Sequence, residues 1–546
     1  MRPKATLEGK ALFPGPLLLV AGAALAVVLP FFLYGDPSGH DFEFHMHSWM
    51  EVLGQWHQGI VYPRWAALAQ YGYGEARFIF YPPTSWILGA TLGAALPWKA
   101  VPGVYVWIAL TLSGCSMFVL VRRWLDRRDA MFVAVLYATN PYYILVVYWR
   151  SAFAELLAGA LLPLLLLWVL RLEEEGWDAA LRLTLVVAGA WLTNAPAAVM
   201  VNYSVVLLAL VVVVARRSPR VLRYAASAAL MGAALAAFYI VPDSYEQKWV
   251  TISQVLAPGV RPQDNFLFTA TSDPDHTRFN LLVSFMAAAE IAVLAVAAVL
   301  ARRGRQEQSL FWWTLVSWSV PVALLMFSPS HLAWEHLPWL RFLQLPWRWL
   351  LCLNVSLAFF IVMAWQRWFW RAAAYFSMVA LLLLASRRTQ PPWWDNAAEI
   401  AKLLAQHCIG VGYEGTDEYV PAGADPYDVS RDAALVRLDE GTAQVQVQAW
   451  APESKSFTVD AGQPGKAVLR LFNYPAWRVT VNGQAVETES QENTGQMMIP
   501  MQAGESKVQI TLQRTWDRQM GGYVSVTAGL GIVGFAVFRR KRTRRP

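Results

Sequence analysis

Charge is what this chain has least of. Only 15% of its 546 residues are Asp, Glu, Lys or Arg, 56% are hydrophobic, and the mean hydropathy is +0.34. A soluble domain needs a charged surface, so this scarcity excludes one as the bulk of the molecule. Cysteine is almost missing too: Cys115 and Cys352 fall inside apolar runs and Cys408 stands alone, which excludes a disulfide framework. No Walker or dinucleotide-binding glycine pattern occurs. The net charge of +7 does not point to nucleic acid, because the bases sit in short clusters at the ends of apolar runs. These are Arg122, Arg123, Arg127 and Arg128; Arg216, Arg217, Arg220 and Arg223; Arg302, Arg303 and Arg305; Arg367 and Arg371; and the tail RRKRTRRP. That distribution is the positive-inside pattern of a membrane protein.

What is present is a series of apolar runs long enough to cross about 30 Å of hydrocarbon. The first, residues 11–34, is too long for a signal-peptide core and lacks a small-residue cleavage site, so it reads as a permanent span. Placing every basic cluster in the cytoplasm fixes twelve spans, near residues 12–34, 102–121, 130–148, 154–170, 182–193, 197–215, 223–241, 281–300, 309–327, 347–365, 372–386 and 521–538. Both termini are then inside. The run FIFYPPTSWILGATLGAALP (78–97) is left out, since counting it would send residues 122–128 outside; Pro82 and Pro83 make it interfacial or re-entrant. The fifth and sixth spans are short and turn at Thr193-Asn194-Ala195-Pro196, so they need not cross independently.

The expected fold is a polytopic α-helical membrane protein carrying an extracytoplasmic domain. Residues 1–386 form the multi-span part with a first outer loop at 35–101; residues 387–520 form the outer domain; residues 521–546 form the last span and the basic tail. Trp394-Asp395-Asn396 precedes a helical stretch, AAEIAKLLAQH. From residue 434 the pattern changes to period two, with Asn482-Gly483 as a hairpin turn, and predicts a β-sandwich.

The first outer loop gathers four of the eight histidines, at 40, 45, 47 and 57. In GHDFEFHMH an extended chain puts Asp41, Glu43, His45 and His47 on one face, whereas a helix separates Asp41, His45 and Ser48 from Glu43, His47 and Glu51. The helical spacing of Trp49, Leu53 and Trp56 favours a short extended start leading into an interfacial helix. Either geometry offers a base, Asp41, with an imidazole such as His45 in reach, and Asp41 with Glu43 suits a hard divalent cation (Mg or Mn). The plainer alternative is the wet face of an amphipathic segment, yet no Lys or Arg occurs between Lys10 and Arg64.

Arginines on the outer side run against the positive-inside bias and ask for partners. Arg64, Arg77, Arg150, Lys248, Arg278, Arg341 and Arg348 all fall there. Arg150 in YWRSAFAELL either closes the bundle on Glu155 or grips a lipid phosphate; Arg348 in LPWLRFLQLPWRWL either snorkels or does the same, with Gln344 grouped beside it as a substrate contact. Glu335 is expected to pair with Arg341. Glu290 falls near mid-span with no evident partner.

The stretches DFEFHMHSWMEVLGQWHQGIVYPRW, YWRSAFAE, FYIVPDSYEQKWV, LPWLRFLQLPWRWL, YEGTDEYVPAGA and YPAWRVTVNG resemble the bacterial membrane proteins labelled as related to 6-pyruvoyl-tetrahydropterin synthase. More broadly, the arrangement is similar to the GT-C class of membrane glycosyltransferases. The resemblance implies sugar transfer from a polyprenyl-phosphate donor to a glycan, lipid or protein acceptor outside the plasma membrane. It implies Asp41 as general base or metal ligand, with Glu43 completing a D-x-E pair, and Arg348 on the donor phosphate. The competing expectations are a lipid-linked saccharide flippase, which needs charges deep in the spans, and a non-catalytic envelope scaffold.

Overall fold

The computed structural model describes residues 14–304 and 309–543. The expected start of the first span at residue 12, Arg305 and the end of the basic tail lie outside the described residues. Among the described residues, nine helices are long and apolar enough to cross a membrane, from Gly15–Tyr34 to Trp516–Arg539. The number rises to eleven when two bent pairs each count as one crossing: Arg220–Leu235 with Ala237–Trp249, bent by 74°, and Leu310–Leu325 with Ser328–His336, bent by 94°. The stretch expected at 182–193 lies in the helix Trp177–Thr193. Its 17 residues rise about 25 Å, short of the hydrocarbon thickness of about 30 Å.

Residues 78–97 form no span. They split into Arg77–Phe80 and Pro83–Ala95, because Pro83 starts the second helix and Tyr81 and Pro82 are extended. The second piece is 13 residues long, about 20 Å, too short to cross.

The C-terminal domain is two antiparallel sheets. One runs in the spatial order Ala443–Ala451, Ser454–Ala461, Gly504–Leu512, Trp477–Val481, Gln484–Val486; the other runs Val436–Leu438, Gly465–Phe472, Gln496–Met501, Glu489–Ser490. Asn482 and Gly483 turn the predicted hairpin at φ of +49° and +82°, the region a tight hairpin requires. Alternate residues such as Phe457, Val459, Leu469, Val508 and Ile510 fill the space between the sheets.

That core does not end at the domain boundary expected at residue 387. Trp65, Tyr73, Ile79 and Phe80 from the first long loop pack into it. The loop therefore belongs to both halves of the molecule. A second tie is ionic: the buried Glu246 accepts from Arg518 at 2.6 and 2.8 Å and from the Tyr474 hydroxyl at 2.5 Å, fixing the start of the terminal helix. Glu335, expected on Arg341, instead meets His331 at 2.9 Å, one helical turn away. Arg341 stacks on Phe342.

Candidate functional site

The loop helix runs Phe42–His57, so the extended start expected at residues 41–47 is absent. Helical geometry then separates Asp41, His45 and Ser48 from Glu43, His47 and Glu51. Asp41 stands at the N-cap position, yet its side chain makes no capping bond. A capping Asp is worth about 1 kcal/mol to a helix, and here that gain is forgone. The carboxylate turns instead to Arg150, whose Nη2 lies 3.3 Å from its Oδ2.

Two backbones must approach closely for this pair to form. The Asp41 N–H donates to the Arg150 carbonyl at 2.8 Å, and the His40 N–H reaches the Trp149 carbonyl at 3.3 Å. Gly39 permits it, since a Cβ there would lie 2.5 Å from the Trp149 backbone. On the other side, a π-helical turn, Val146–Arg150, ends in Ser151 at φ +50°. The Ser151 hydroxyl accepts from the Gly39 N–H at 2.9 Å and donates to the Pro37 carbonyl at 2.7 Å. The irregular turn thus aims Arg150 at the loop.

Glu155 is the hub. It accepts from Arg150 Nη1 at 2.6 Å, from Arg348 Nε at 3.1 Å and from the Tyr142 hydroxyl. Arg348 Nη1 also donates to the Leu343 carbonyl at 2.6 Å and to Gln344 Oε1 at 3.1 Å. Gln344 is held in turn by donating to the Val255 carbonyl at 2.8 Å. The Arg150 guanidinium lies over Trp347, 5.0 Å from its centre. Arg348 Nη2 makes no hydrogen bond among the described residues.

The cluster carries two positive and two negative groups. Glu155 and Arg150 are sealed, at 1% and 4% exposure, whereas Asp41 remains 37% exposed. Buried ion clusters are costly to desolvate, so one placed beside spans asks for a use. Burial, with the Asp41 carboxylate beside it, pushes the Tyr81 hydroxyl well above its ordinary range, and both arginines act on it in the opposite sense. The Tyr81 ring packs edge-on against Phe44 and His45, next to Asp41 in the chain's fold.

Other expected members lie elsewhere. His45 is buried among Phe44, Trp49, Tyr81 and Phe153, with Nε2 unbonded, and burial pulls its pKa to about 4. It is a neutral ring in an apolar box. Glu43 has Asp395, Lys402 and Glu414 as its charged neighbours, so Asp41 and Glu43 do not face one centre. Among the described residues no group of three His, Cys, Asp or Glu side chains is placed to hold a metal ion. The donor set does not fit the divalent cation expected there. Arg64 stacks on Tyr62 at 4.4 Å and neighbours Glu453, Glu246 and Arg518, at the junction with the β-domain. Glu290 accepts from Asn354 Nδ2 at 2.9 Å and from the Tyr142 N–H at 3.2 Å; it tethers the short helix that carries Tyr142.

The opposite face of the loop helix holds a second cluster. His47 stacks on Tyr413 at 4.0 Å and its Nδ1 is 3.0 Å from His407 Nε2. Glu51 accepts from the Tyr413 hydroxyl at 2.5 Å and the Leu68 N–H at 3.1 Å, and burial lifts its pKa to about 7. Arg77 pairs with Glu75 at 2.6 Å and donates to Ser48 at 3.0 Å, while Glu75 accepts from the Thr416 N–H at 2.9 Å.

Tyr81, Tyr142 and Gly39 carry no local signal of these roles, because each acts on a partner distant in sequence.

A family model described as "6-pyruvoyl-tetrahydropterin synthase related domain; membrane protein" matches residues 78–390. No curated protein matches. Among solved structures, the chain is similar to the archaeal oligosaccharyltransferase AglB from Archaeoglobus fulgidus in complex with an inhibitory peptide and a dolichol-phosphate, at 13% identity and a TM-score of 0.43. It is also similar to the apo form of the Archaeoglobus fulgidus oligosaccharyltransferase, at 13% identity and a TM-score of 0.42. Each match covers 70% of this chain and 56% of the other, so the chain spans little more than half of those proteins.

Proposed function

The chain belongs to the 6-pyruvoyl-tetrahydropterin synthase related membrane proteins, and on that premise we propose that it is a GT-C-like glycosyltransferase using a polyprenyl-phosphate sugar as donor. The observation that carries the reading is the placement of Asp41 on Arg150, and of Arg150 and Arg348 together on Glu155. A partly exposed carboxylate beside two buried guanidinium groups is what displacement at a sugar carbon needs.

In the proposed reaction an acceptor hydroxyl gives its proton to the Asp41 carboxylate as its oxygen bonds to the sugar carbon. The bond from that carbon to the phosphate oxygen breaks, and the departing lipid phosphate keeps the electron pair. Arg348, through its uncommitted Nη2, and Arg150 stabilise that charge. Glu155 and Gln344 hold the two guanidinium groups in position. The exposed side of Asp41 returns the proton to water. The β-domain end of the bundle then lies outside a bacterial plasma membrane, and the acceptor is a glycan, lipid or protein there.

The test uses the purified full chain with polyprenyl-phosphate sugars and a panel of such acceptors. Asp41→Asn should lower transfer about 10²- to 10⁴-fold with donor binding intact. Unchanged turnover in the variant sinks the assignment.

A further inference from the structure

The second half of the loop helix and the β-domain enclose a cavity of 270 Å³, on a different side of that helix from Asp41. It is slightly below the roughly 300–1,000 Å³ usual for small-molecule sites. Its walls are unlike a packing defect. Trp450, half-buried, supplies ring surface, and the fully buried Trp65 backs the wall.

Two cations also line it, Lys455 and Arg470. Lys455 is 4% exposed; its Nζ donates to the carbonyls of Ala451 at 2.9 Å and Pro452 at 3.1 Å and lies 4.5 Å over the Trp477 ring. Arg470 donates through Nε to the Tyr71 carbonyl at 2.8 Å and through Nη2 to the carbonyls of Tyr71 and Val411, which leaves Nη1 for a ligand. Among the described residues neither has an ion pair, although Glu453 lies near enough to Lys455 to bias its charge. The one acid in the wall, Glu51, is already committed to Tyr413 and Leu68. A buried ammonium held by two carbonyls and a ring face, with no carboxylate in ion-pair contact among the described residues, is an incomplete ionic site. Burial pulls its pKa down to about 7, and a bound anion would restore its proton.

We propose that this cavity is a binding site for an anionic sugar unit, its carboxylate or phosphate received by Lys455 and Arg470 and its ring laid against Trp450. The site stands independently of the chemistry at Asp41. Resting on the glycosyl-transfer reading, and only in this respect, the unit belongs to the acceptor: Glu51 is about 15 Å along the helix from Asp41, a distance an extended glycan spans.

Isothermal titration of the detergent-purified full chain with galacturonate, oligogalacturonate, galactose 1-phosphate and neutral galactose tests it. The acidic sugars should bind about tenfold or more tightly than galactose. Lys455→Met and Arg470→Gln should each bring them down towards the galactose level. Gly54 lines the cavity, is exposed, and has nothing within 4 Å of its Cβ position, so Gly54→Phe should block it without removing charge. Tighter binding of the oligomer than of the monosaccharides marks a glycan as the natural source. Asp41→Asn should bind like the unaltered protein, which keeps failure here distinct from failure of the transfer reaction. Equal affinity for galactose, unaltered binding in all three cavity variants, or no heat from any probe overturns the proposal.

Discussion

The loop helix carries ionic clusters on two faces, and they differ in one respect. Around Asp41, Arg150, Glu155 and Arg348, one member is 37% exposed and one guanidinium nitrogen has no partner among the described residues. Around Glu75, Arg77, Glu51 and Tyr413, every member is at most 4% exposed and the carboxylates are saturated by backbone and side-chain donors. Both clusters bear the desolvation cost of buried charge. The second uses it to clasp the loop onto the segment after residue 409. The first leaves groups unspent, and unspent groups are what a substrate needs.

The largest expected effect comes from breaking the sealed cluster. Arg77→Met leaves Glu75, fully buried, without its cation, and should cost about 3–5 kcal/mol, seen as a fall in thermal stability in detergent with loss of every activity. A smaller change in the open cluster alone would reverse the comparison.

Next is the acid response of His45. Its pKa is about 4 when folded against 6.5 otherwise, so the unfolded chain takes up the proton first as pH falls. Its stabilising share is complete above pH 6.5 and is lost between there and pH 4. His45→Leu should remove roughly 3 kcal/mol of acid sensitivity by pH 4, measured as the difference between the two stability profiles. Identical profiles would show that the ring is not held neutral.

Gly39→Ala should cost about 1–3 kcal/mol and part Asp41 from Arg150, so transfer falls further than stability alone explains. The smallest effect is Tyr81→Phe. It should change turnover about tenfold or less and leave donor affinity unaltered, a split that separates a group acting beside Asp41 from one that holds the donor.

Much of the architecture was legible because it rests on composition and period. Apolar length located the helices, basic clusters their ends, and two-residue alternation the sandwich. For the site, Asp41, Arg150, Glu155, Arg348 and Gln344 were conspicuous as charges or amides where few belong, and the structure brings these five together. The local alternation at 41–47 misled, because no neighbouring strand pairs with it and the helix of Trp49, Leu53 and Trp56 extends back to Phe42. That extension removed the Asp41 and Glu43 pair and buried His45. Arg64 was equally conspicuous, yet it serves the junction with the β-domain, a contact across nearly 400 residues that no local pattern encodes. Gly39 was silent for the same reason.

The central claim is that a lipid phosphate sits at Arg348 and Arg150 beside Asp41. A polyprenyl phosphate carrying a photoreactive group next to its phosphate tests this most directly, with labelled peptides identified by mass spectrometry. Labelling should concentrate in residues 340–349 and 149–155 and fall away in Arg348→Gln. Label spread over the other helices, with equal yield in the variant, would contradict the account.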